Sequence, residues 1–204
     1  FRMASCHTRD IGDTVFACML DIREALSMID KELTKNFILV LNNFISEKEC
    51  NDIINKYSPQ EIETPEGFKH TGYDSVTINK DSSFIKNIMI KIEEAVSLYI
   101  EHYPVINWTP DKWRLNKLIF KHFKKNKSFN YFHSEHSRDY PHRILNIMIY
   151  LSTHKCGTEF HDGLLILSHI GRLTIFPSYF THTHRGQVCP EKKDRYLLGG
   201  YYEI

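Results

Sequence analysis

The sequence lacks the cysteine pattern of a disulfide scaffold or a zinc knuckle. It has five cysteines in 204 residues, an odd number, and none of them forms a Cys-x-x-Cys motif. Small disulfide-rich domains and zinc knuckles depend on closely spaced cysteines. The sequence therefore predicts neither class, and its cysteine usage favours a reducing, cytoplasmic compartment.

Long apolar runs and an excess of one charge are also missing. The longest apolar stretches, such as Phe37–Leu41 and Ile147–Leu151, fall far short of the roughly 20 residues of a membrane-spanning helix. Asp10 and Asp13 interrupt the N-terminal segment, so no signal peptide is predicted. With 26 basic and 25 acidic residues, the net charge is +1. We therefore expect no membrane or nucleic-acid partner, and we interpret the basic run Lys121–Lys127 as a solvated turn.

Apolar periodicity predicts helices in the first half of the chain. One helix is predicted over Asp21–Lys35. A Ser46-x-x-Glu49 capping box predicts a second helix over residues 46–56. A third is predicted over residues 81–102, with an apolar stripe typical of core packing.

Short strands dominate the second half. The predicted strands are Phe37–Leu41, Asn116–Phe123, Arg143–Leu151, Leu164–Leu167, Arg172–Pro177 and Arg195–Tyr202. This order indicates an α+β chain that is mainly β, with helices packed against a sandwich or barrel. We expect an N-terminal helical extension over residues 1–36 and one domain over residues 37–204. Residues 57–79 are predicted to be a long loop with at most one strand, and they are a candidate lid.

Histidine is unusually frequent. Of the 12 histidines, eight fall between residues 133 and 184: His133, His136, His142, His154, His161, His169, His182 and His184. Imidazole is the usual ligand for zinc, copper, iron and nickel, so the cluster suggests a metal site. The alternative is a set of surface histidines on a polar stretch, and composition leaves both open.

His133 and Glu135 form a His-x-Glu pair. In an extended segment their side chains point to the same side and can reach one ion. A second imidazole from a distant strand would complete the two-histidine, one-carboxylate set typical of non-haem Fe(II) oxygenases. The pair alone is a weak signal, because a histidine-rich chain produces it by chance.

Six short motifs follow one another along residues 37–204: FILVLNNFISEKECNDII, FNYFHSEH, RILNIMIYLS, CGTEF, GRLTIFPSYFTH and RYLLGGYY. Their order resembles that of the Fe(II)- and 2-oxoglutarate-dependent dioxygenases, specifically the prolyl-4-hydroxylase-like branch. The N-terminal extension has no match. The resemblance implies a double-stranded β-helix, or jelly roll, buttressed by helices from the N-terminal half, with an iron site at the barrel mouth.

The resemblance also implies roles for individual residues. His133, Glu135 and His182 would bind Fe(II), and Arg195 would hold the distal carboxylate of 2-oxoglutarate. A guanidinium suits that role because it grips a carboxylate with two hydrogen bonds and stays charged when buried. The alternative for Arg195 is an ordinary surface arginine. Tyr150 matches a tyrosine often found near the cosubstrate, and a packed core aromatic is an equal alternative.

Three further positions stand close to this expected site. Asn146 lies an even number of residues from Tyr150 and therefore faces the same side of the strand. Arg143 matches a basic position at the mouth of the site in some protein prolyl hydroxylases, where it would touch substrate; a solvated arginine at a strand end is the alternative. Phe123 stands where many relatives have a tyrosine hydroxyl directed at the cosubstrate.

Two other histidines compete with His182 as the second imidazole ligand. His184 follows on the same expected strand face, and His136 directly follows Glu135. We favour His182 because FPSYFTH places it where relatives have the ligand, with His184 then supporting the ligands from outside. The loop between His182 and Arg195 is, however, longer than usual for the family.

The resemblance implies an enzyme that uses Fe(II), 2-oxoglutarate and O₂, supported by ascorbate, to hydroxylate a substrate C–H with release of succinate and CO₂. The favoured substrate is a prolyl-type residue of a peptide or protein. The alternatives are a hydroxylase of a free amino acid or small metabolite, a catalytically silent metal- or peptide-binding jelly roll, and a cupin-like metalloenzyme. The sequence leaves the oligomeric state open.

Overall fold

The computed structural model describes residues 30–33, 36–59, 73–109 and 113–204. Within these ranges the chain forms two α-helices and ten strands. The helices are α1 (Glu47–Tyr57) and α2 (Lys86–His102). The strands are β1 (Lys31–Leu33), β2 (Leu39–Leu41), β3 (Tyr73–Asn79), β4 (Arg114–Phe123), β5 (Arg143–Tyr150), β6 (Gly157–Phe160), β7 (Leu165–Leu167), β8 (Leu173–Pro177), β9 (His184–Gly186) and β10 (Arg195–Glu203).

The strands form two antiparallel sheets. The larger sheet has seven strands in the order β1-β2-β8-β5-β10-β4-β3, and the smaller has three in the order β7-β6-β9. Strands distant in sequence lie side by side, as β10 does between β5 and β4. This arrangement of the described strands confirms the expected mainly-β jelly roll.

Each face of the large sheet is covered by a different layer. One face packs on the helices through a cluster that includes Ile53 of α1 and Ile92 of α2. The other face packs on the small sheet through Met148, Tyr150 and Phe160, among others. All eight residues of β5 are buried because this central strand is covered on both faces. The second of these layers is the barrel interior.

Helix α1 begins as the capping box predicts. The Ser46 hydroxyl accepts the backbone N–H of Glu49 at 3.2 Å, and the Glu49 carboxylate accepts the backbone N–H of Ser46 at 2.8 Å. These two bonds satisfy donors that a helix N-terminus leaves free. The buried side of α1 then presents Cys50, Ile53 and Tyr57 to the core.

The helix predicted over Asp21–Lys35 is wrong at its C-terminal end. Lys31–Leu33 forms β1 and pairs with β2, so backbone pairing across the sheet overrides helical periodicity there. Most of the remaining predicted helix lies outside the described residues. The loop predicted over residues 57–79 contains edge strand β3, and residues 60–72 of the candidate lid lie outside the described ranges.

Two further local predictions need correction. The last four residues of the CGTEF motif, which was expected to be a turn, form the whole of β6. The basic run Lys121–Lys127 begins inside β4 and becomes a turn only after Phe123. Neither helix in the described part of the chain has the length and apolar character that crossing a bilayer requires.

Candidate metal centre and anion site

Three side chains converge inside the barrel: His133, Glu135 and His184. One potential ligand atom from each lies within 4.8 Å of the other two. Oε1 of Glu135 is 3.6 Å from Nε2 of His133 and 3.7 Å from Nε2 of His184. Two imidazoles and one carboxylate therefore face a common point.

Backbone pairing fixes this convergence. His133 and His184 form an antiparallel β-bridge, which brings the segment before β5 against the start of β9. Strand β9 is in turn paired with β6 in the small sheet. Glu135 follows His133 by two residues, so its side chain returns to the same side, as the His-x-Glu spacing predicts.

Backbone carbonyls fix the orientation of both imidazoles. Nδ1 of His133 lies 2.9 Å from the carbonyl oxygen of Tyr131, and Nδ1 of His184 lies 2.9 Å from that of His182. A carbonyl only accepts, so each Nδ1 carries the proton and each Nε2 keeps its lone pair. Such carbonyl contacts are the usual support of metal-binding histidines.

The protonation states also suit a metal. Burial, followed by repulsion from His133, lowers the pKa of His184 to about 4, so its imidazole is neutral. Burial alone would raise the pKa of Glu135, but the neighbouring His133 imidazole and the charge of Lys121 hold that pKa well below its ordinary value. Neutral imidazole and ionised carboxylate are the forms that bind metal ions.

The structure places His182 outside this group. Its Nδ1 lies 2.9 Å from Oγ1 of Thr181, and its Nε2 is hydrogen-bonded to the backbone carbonyl of Asn36. The expected sharing of one face by His182 and His184 fails because His182 ends a 3₁₀ turn (Phe180–His182), whereas β9 begins at His184. His184, the rival named above, thus occupies the position expected for His182.

A sequence signal for His184 was already present. The loop from His182 to Arg195 is longer than in relatives, and taking His184 as the ligand shortens it by two residues. The other rival, His136, packs its ring on Tyr179 with Nδ1 3.3 Å from the carbonyl oxygen of Arg143.

Arg143 binds the carboxylate oxygen of Glu135 that does not face the two imidazoles. Its Nη1 donates to Oε2 of Glu135 at 3.0 Å, and its guanidinium lies between the rings of Tyr140 and Tyr201, at 3.8 and 3.6 Å from their centroids. Nε of Arg143 is also 3.5 Å from Oε1 of Glu203. The solvated alternative for Arg143 is excluded, because only 9% of the residue is exposed. Its described contacts orient Glu135.

Arg195 is a buried cation with no described counter-ion. It is 2% exposed, and its Nη2 and Nη1 donate to Oγ of Ser128 at 2.9 Å and to the carbonyl oxygen of Gln187 at 3.3 Å. Its Nε has no hydrogen-bond partner, and it forms no ion pair with a carboxylate in the described part of the chain. Burial lowers its pKa to about 10, which still leaves it charged at neutral pH. A buried charge of this kind calls for an anionic partner.

Strand β9 links the anion site to the metal-binding group. A Cβ at Gly186 would lie 2.7 Å from Oγ of Ser128 and 3.0 Å from Nη2 of Arg195, so the guanidinium packs against bare backbone. Gly186 follows His184 by two residues, which is one alternation, or about 7 Å, along a strand. The backbone against which Arg195 packs is therefore one strand alternation from His184.

The remaining predicted residues lie in or beside the barrel interior. The Tyr150 hydroxyl donates to Oγ1 of Thr158 at 2.7 Å; burial raises the pKa of Tyr150, and the charge of Arg195 acts against that rise. Asn146 is buried, and its Nδ2 has no partner among the described residues. The ring of Phe123 lies under the Arg195 guanidinium, 4.7 Å away.

Sequence reasoning missed Ser128 and Lys121. Lys121 shares the inward face of β4 with Phe123, two residues away, so strand alternation was the available signal. Ser128 lies in a loop and meets Arg195 only through the fold, and no sequence pattern marks it.

The described residues contain one disulfide, which does not make a disulfide scaffold but which the cysteine pattern did not predict. Cys156, just before β6, is bonded to Cys189, 33 residues later in the connection between β9 and β10. The pairing has no short-range sequence signature because β6 and β9 are neighbours only in the sheet. Sγ of Cys156 lies 3.5 Å from Nη1 of Arg195.

Comparison with known proteins identifies the fold. No protein-family model and no curated protein matches the chain. A solved structure of the viral collagen prolyl hydroxylase from Paramecium bursaria Chlorella virus-1, as its 2OG complex, matches with a TM-score of 0.64 at 13% identity, covering 83% of this chain and 97% of that chain.

Two cellular proteins match similarly. A Pseudomonas putida prolyl-4-hydroxylase gives a TM-score of 0.62 at 12% identity, covering 91% of this chain and 98% of that one. A Trichoplax adhaerens prolyl hydroxylase, in complex with a hypoxia inducible factor oxygen degradation domain peptide fragment, gives 0.60 at 15% identity, covering 96% and 94%. The chain thus has the jelly-roll fold of prolyl hydroxylases, as the order of the six motifs predicted.

Proposed function

We propose that this chain is an Fe(II)- and 2-oxoglutarate-dependent dioxygenase that hydroxylates a prolyl-type residue of a peptide or protein. The observation that carries the proposal is the pairing of two features inside one barrel. These are the group formed by His133, Glu135 and His184, and the buried, uncompensated guanidinium of Arg195.

The donor set fits Fe(II). Two imidazoles and one carboxylate on one side of an ion leave coordination positions open, as in non-haem Fe(II) oxygenases. Oε1 of Glu135 faces both imidazoles while Arg143 occupies Oε2, which favours one-oxygen binding by the carboxylate. We therefore replace His182 by His184 as the proposed second imidazole ligand.

The anion site fits the distal carboxylate of 2-oxoglutarate. Arg195 offers a guanidinium with an unsatisfied Nε, packed against Gly186, which adds no side chain. Tyr150 and Asn146, proposed above to lie near the cosubstrate, face the same interior. A catalytically silent jelly roll would not need a buried, unpaired arginine, which costs stability.

The protein's own contribution is orientation and exclusion of water. When bound, Fe(II), 2-oxoglutarate and O₂ supply the oxidising chemistry, with succinate and CO₂ as co-products and ascorbate as a supporting reductant. Carbonyl contacts fix the two imidazoles, and Arg143 fixes the carboxylate. The apolar rings of Phe160 and Phe176 cover His184, with centroids 5.7 and 4.9 Å from its ring.

Exposed aromatic side chains favour a peptide substrate over a free amino acid. Tyr131 and Phe132 directly precede His133 and are 62% and 41% exposed, and Tyr140 on Arg143 is 42% exposed. Aromatic surface beside a site offers contact area to an extended apolar partner such as a prolyl peptide. A free amino acid would not require contacts of this extent.

The test begins with cosubstrate turnover. Purified protein is supplied with Fe(II), ascorbate and 2-oxoglutarate, and succinate is measured for the wild type, His133→Ala and Arg195→Ala. The exposed residues His102 and Arg114 provide matched controls as His102→Ala and Arg114→Ala. We expect strict iron dependence, loss of turnover in the two site variants and wild-type turnover in the controls.

Binding of 2-oxoglutarate under anaerobic conditions can be measured without knowing the substrate. Anaerobic, Fe(II)-loaded wild type should bind 2-oxoglutarate, and Arg195→Ala should not. Failure of the loaded wild type to bind 2-oxoglutarate would overturn the proposal. Proline-containing peptides are then compared with free amino acids as stimulants of succinate release, with Tyr131→Ala expected to weaken only the peptide response.

A further inference from the structure

A second group of potential ligands lies beside Arg195. His154, Cys189 and Glu191 each place one ligand atom within 4.8 Å of the other two. They come from separate segments, since His154 lies between β5 and β6 and the other two lie between β9 and β10. Cys156 is bonded to Cys189, so reduction of that bond would leave a second thiol next to this group. None of these residues belongs to the proposed iron site.

The His154 imidazole is buried and has one ring nitrogen without a described partner. The residue is 7% exposed, and its Nε2 lies 3.1 Å from Oγ of Ser152, which also accepts the backbone N–H of Tyr196. In the tautomer whose Nε2 donates to this oxygen, Nδ1 carries the lone pair that a metal ion would bind. Nδ1 is shielded from solvent and has no hydrogen-bond partner among the described residues. Burial lowers the pKa of His154 although Glu191 and the backbone of Asp194 act against it, so the ring is neutral.

Glu191 contributes a second orphan acceptor. Its Oε1 accepts the backbone N–H of Lys155, whereas its Oε2 is shielded from solvent and has no described partner. Neither Nδ1 of His154 nor Oε2 of Glu191 forms a hydrogen bond with any described residue, the other included. Buried polar atoms in native proteins are almost always paired, and a cation between these two atoms would pair both.

We propose that the reduced chain binds one Zn²⁺ through His154, Cys189 and Glu191, with Cys156 as the fourth ligand. Imidazole, thiolate and carboxylate are all zinc ligands, and four donors complete the tetrahedral geometry of a structural site. The ligands lie in a His-x-Cys motif (residues 154–156) and a Cys-x-Glu motif (residues 189–191). The absence of Cys-x-x-Cys motifs therefore does not exclude this site.

The disulfide and the zinc site are alternative cross-links between the same two segments. A dithiol reductant supplies two electrons and two protons, which convert the disulfide to two thiols while the reductant itself is oxidised to a disulfide. Zinc binding then releases both thiol protons to solvent. The guanidinium of Arg195, 3.5 Å from Sγ of Cys156, favours the thiolate form electrostatically.

Cobalt(II) is the probe for this site because a thiolate–cobalt charge-transfer band reports sulfur ligation. The proposed iron site contains no cysteine and does not produce this band. Metal-free wild type, reduced with a phosphine and titrated with Co²⁺, should develop the band at one equivalent, and Zn²⁺ should abolish it. The disulfide-bonded protein should show no band.

Variants decide whether these residues are the ligands. His154→Ala, Cys189→Ser and Glu191→Gln should each weaken Co²⁺ binding about tenfold or more. Cys50→Ala, which changes a free, buried cysteine outside this group, should titrate like the wild type, and circular dichroism checks that every variant is folded. Absence of the band in reduced wild type overturns the proposal, as does a band that folded His154→Ala and Glu191→Gln leave unchanged.

Discussion

His133 and His184 exchange both of their backbone hydrogen bonds, with N–O distances of 2.9 Å in each direction. In such an antiparallel pair, side chains directly opposite lie on the same face, and the two imidazole centroids are 4.5 Å apart. One backbone contact therefore decides which distant histidine joins the His-x-Glu pair. His182 precedes the bridge by two residues but lies in a turn, so it does not share this face.

Replacing His184 and His182 by alanine, one at a time, should show which of them binds the metal. His184→Ala should abolish iron-dependent succinate formation and weaken anaerobic Fe(II) binding by at least about tenfold, because it removes a proposed ligand. His182→Ala should keep both properties and lose about 1 kcal/mol of stability with its hydrogen bonds. Fe(II) titration and thermal unfolding measure the two effects. The reverse pattern would restore His182 as the ligand.

Removing Arg143 should loosen the carboxylate ligand. In Arg143→Ala, Oε2 of Glu135 loses its 3.0 Å partner, so we expect Fe(II) affinity to fall about 10- to 100-fold. The exposed Arg138 supplies the control Arg138→Ala, which should bind iron like the wild type. If Arg143→Ala changes only the KM for peptide, the arginine contacts substrate and does not position Glu135.

A methyl group at Gly186 should disturb the anion site and leave the metal centre in place. The added Cβ would press on Ser128 and on Nη2 of Arg195, so Gly186→Ala should raise the Kd for 2-oxoglutarate about tenfold. Gly199→Ala is the matched control, because its Cβ would meet only the carbonyl oxygen of Ile147, at 3.4 Å. Calorimetry under anaerobic conditions measures both. Equal affinities in the two variants would place the cosubstrate away from Gly186.

Stability of the metal-free protein should decrease as the pH falls from about 6.5 to 4. The pKa of His184 is lowered from 6.5 to about 4 in the folded state, so within this window only the unfolded chain binds the proton. Unfolding is thereby favoured, by up to about 3 kcal/mol at the acid end. Glu135, whose pKa is held below its ordinary 4.5, adds to the loss only below that pH.

Denaturant unfolding at several pH values checks this dependence. His184→Gln should flatten the stability curve between pH 6.5 and 4, because its side chain does not titrate. His102→Gln, at an exposed position on α2, should retain the wild-type slope. A slope in His184→Gln as steep as in the wild type would assign the dependence to other groups.

Local sequence patterns predict those parts of the fold that are long or chemically distinctive. The capping box of Ser46 and Glu49 marks α1, and apolar runs mark β5 and β10. The three-residue strands β1 and β9 are too short to show periodicity, so only their pairing defines them. The predicted helix over Asp21–Lys35 was wrong at residues 31–33 because the pairing of β1 could not be read from the sequence. The prediction that His182 and His184 share one strand face was wrong because β9 begins only at His184.

The sequence by itself determined the mainly-β class, the alternation that joins His133 to Glu135, and Arg195 at the start of the last strand. These follow from spacing along one segment, where side-chain direction repeats every two residues. Only the tertiary structure decided the partner histidine, the contact of Arg143 with Glu135, and the meeting of Cys156 with Cys189. Each depends on which strands lie side by side, and strand pairing brings together residues that no local pattern relates.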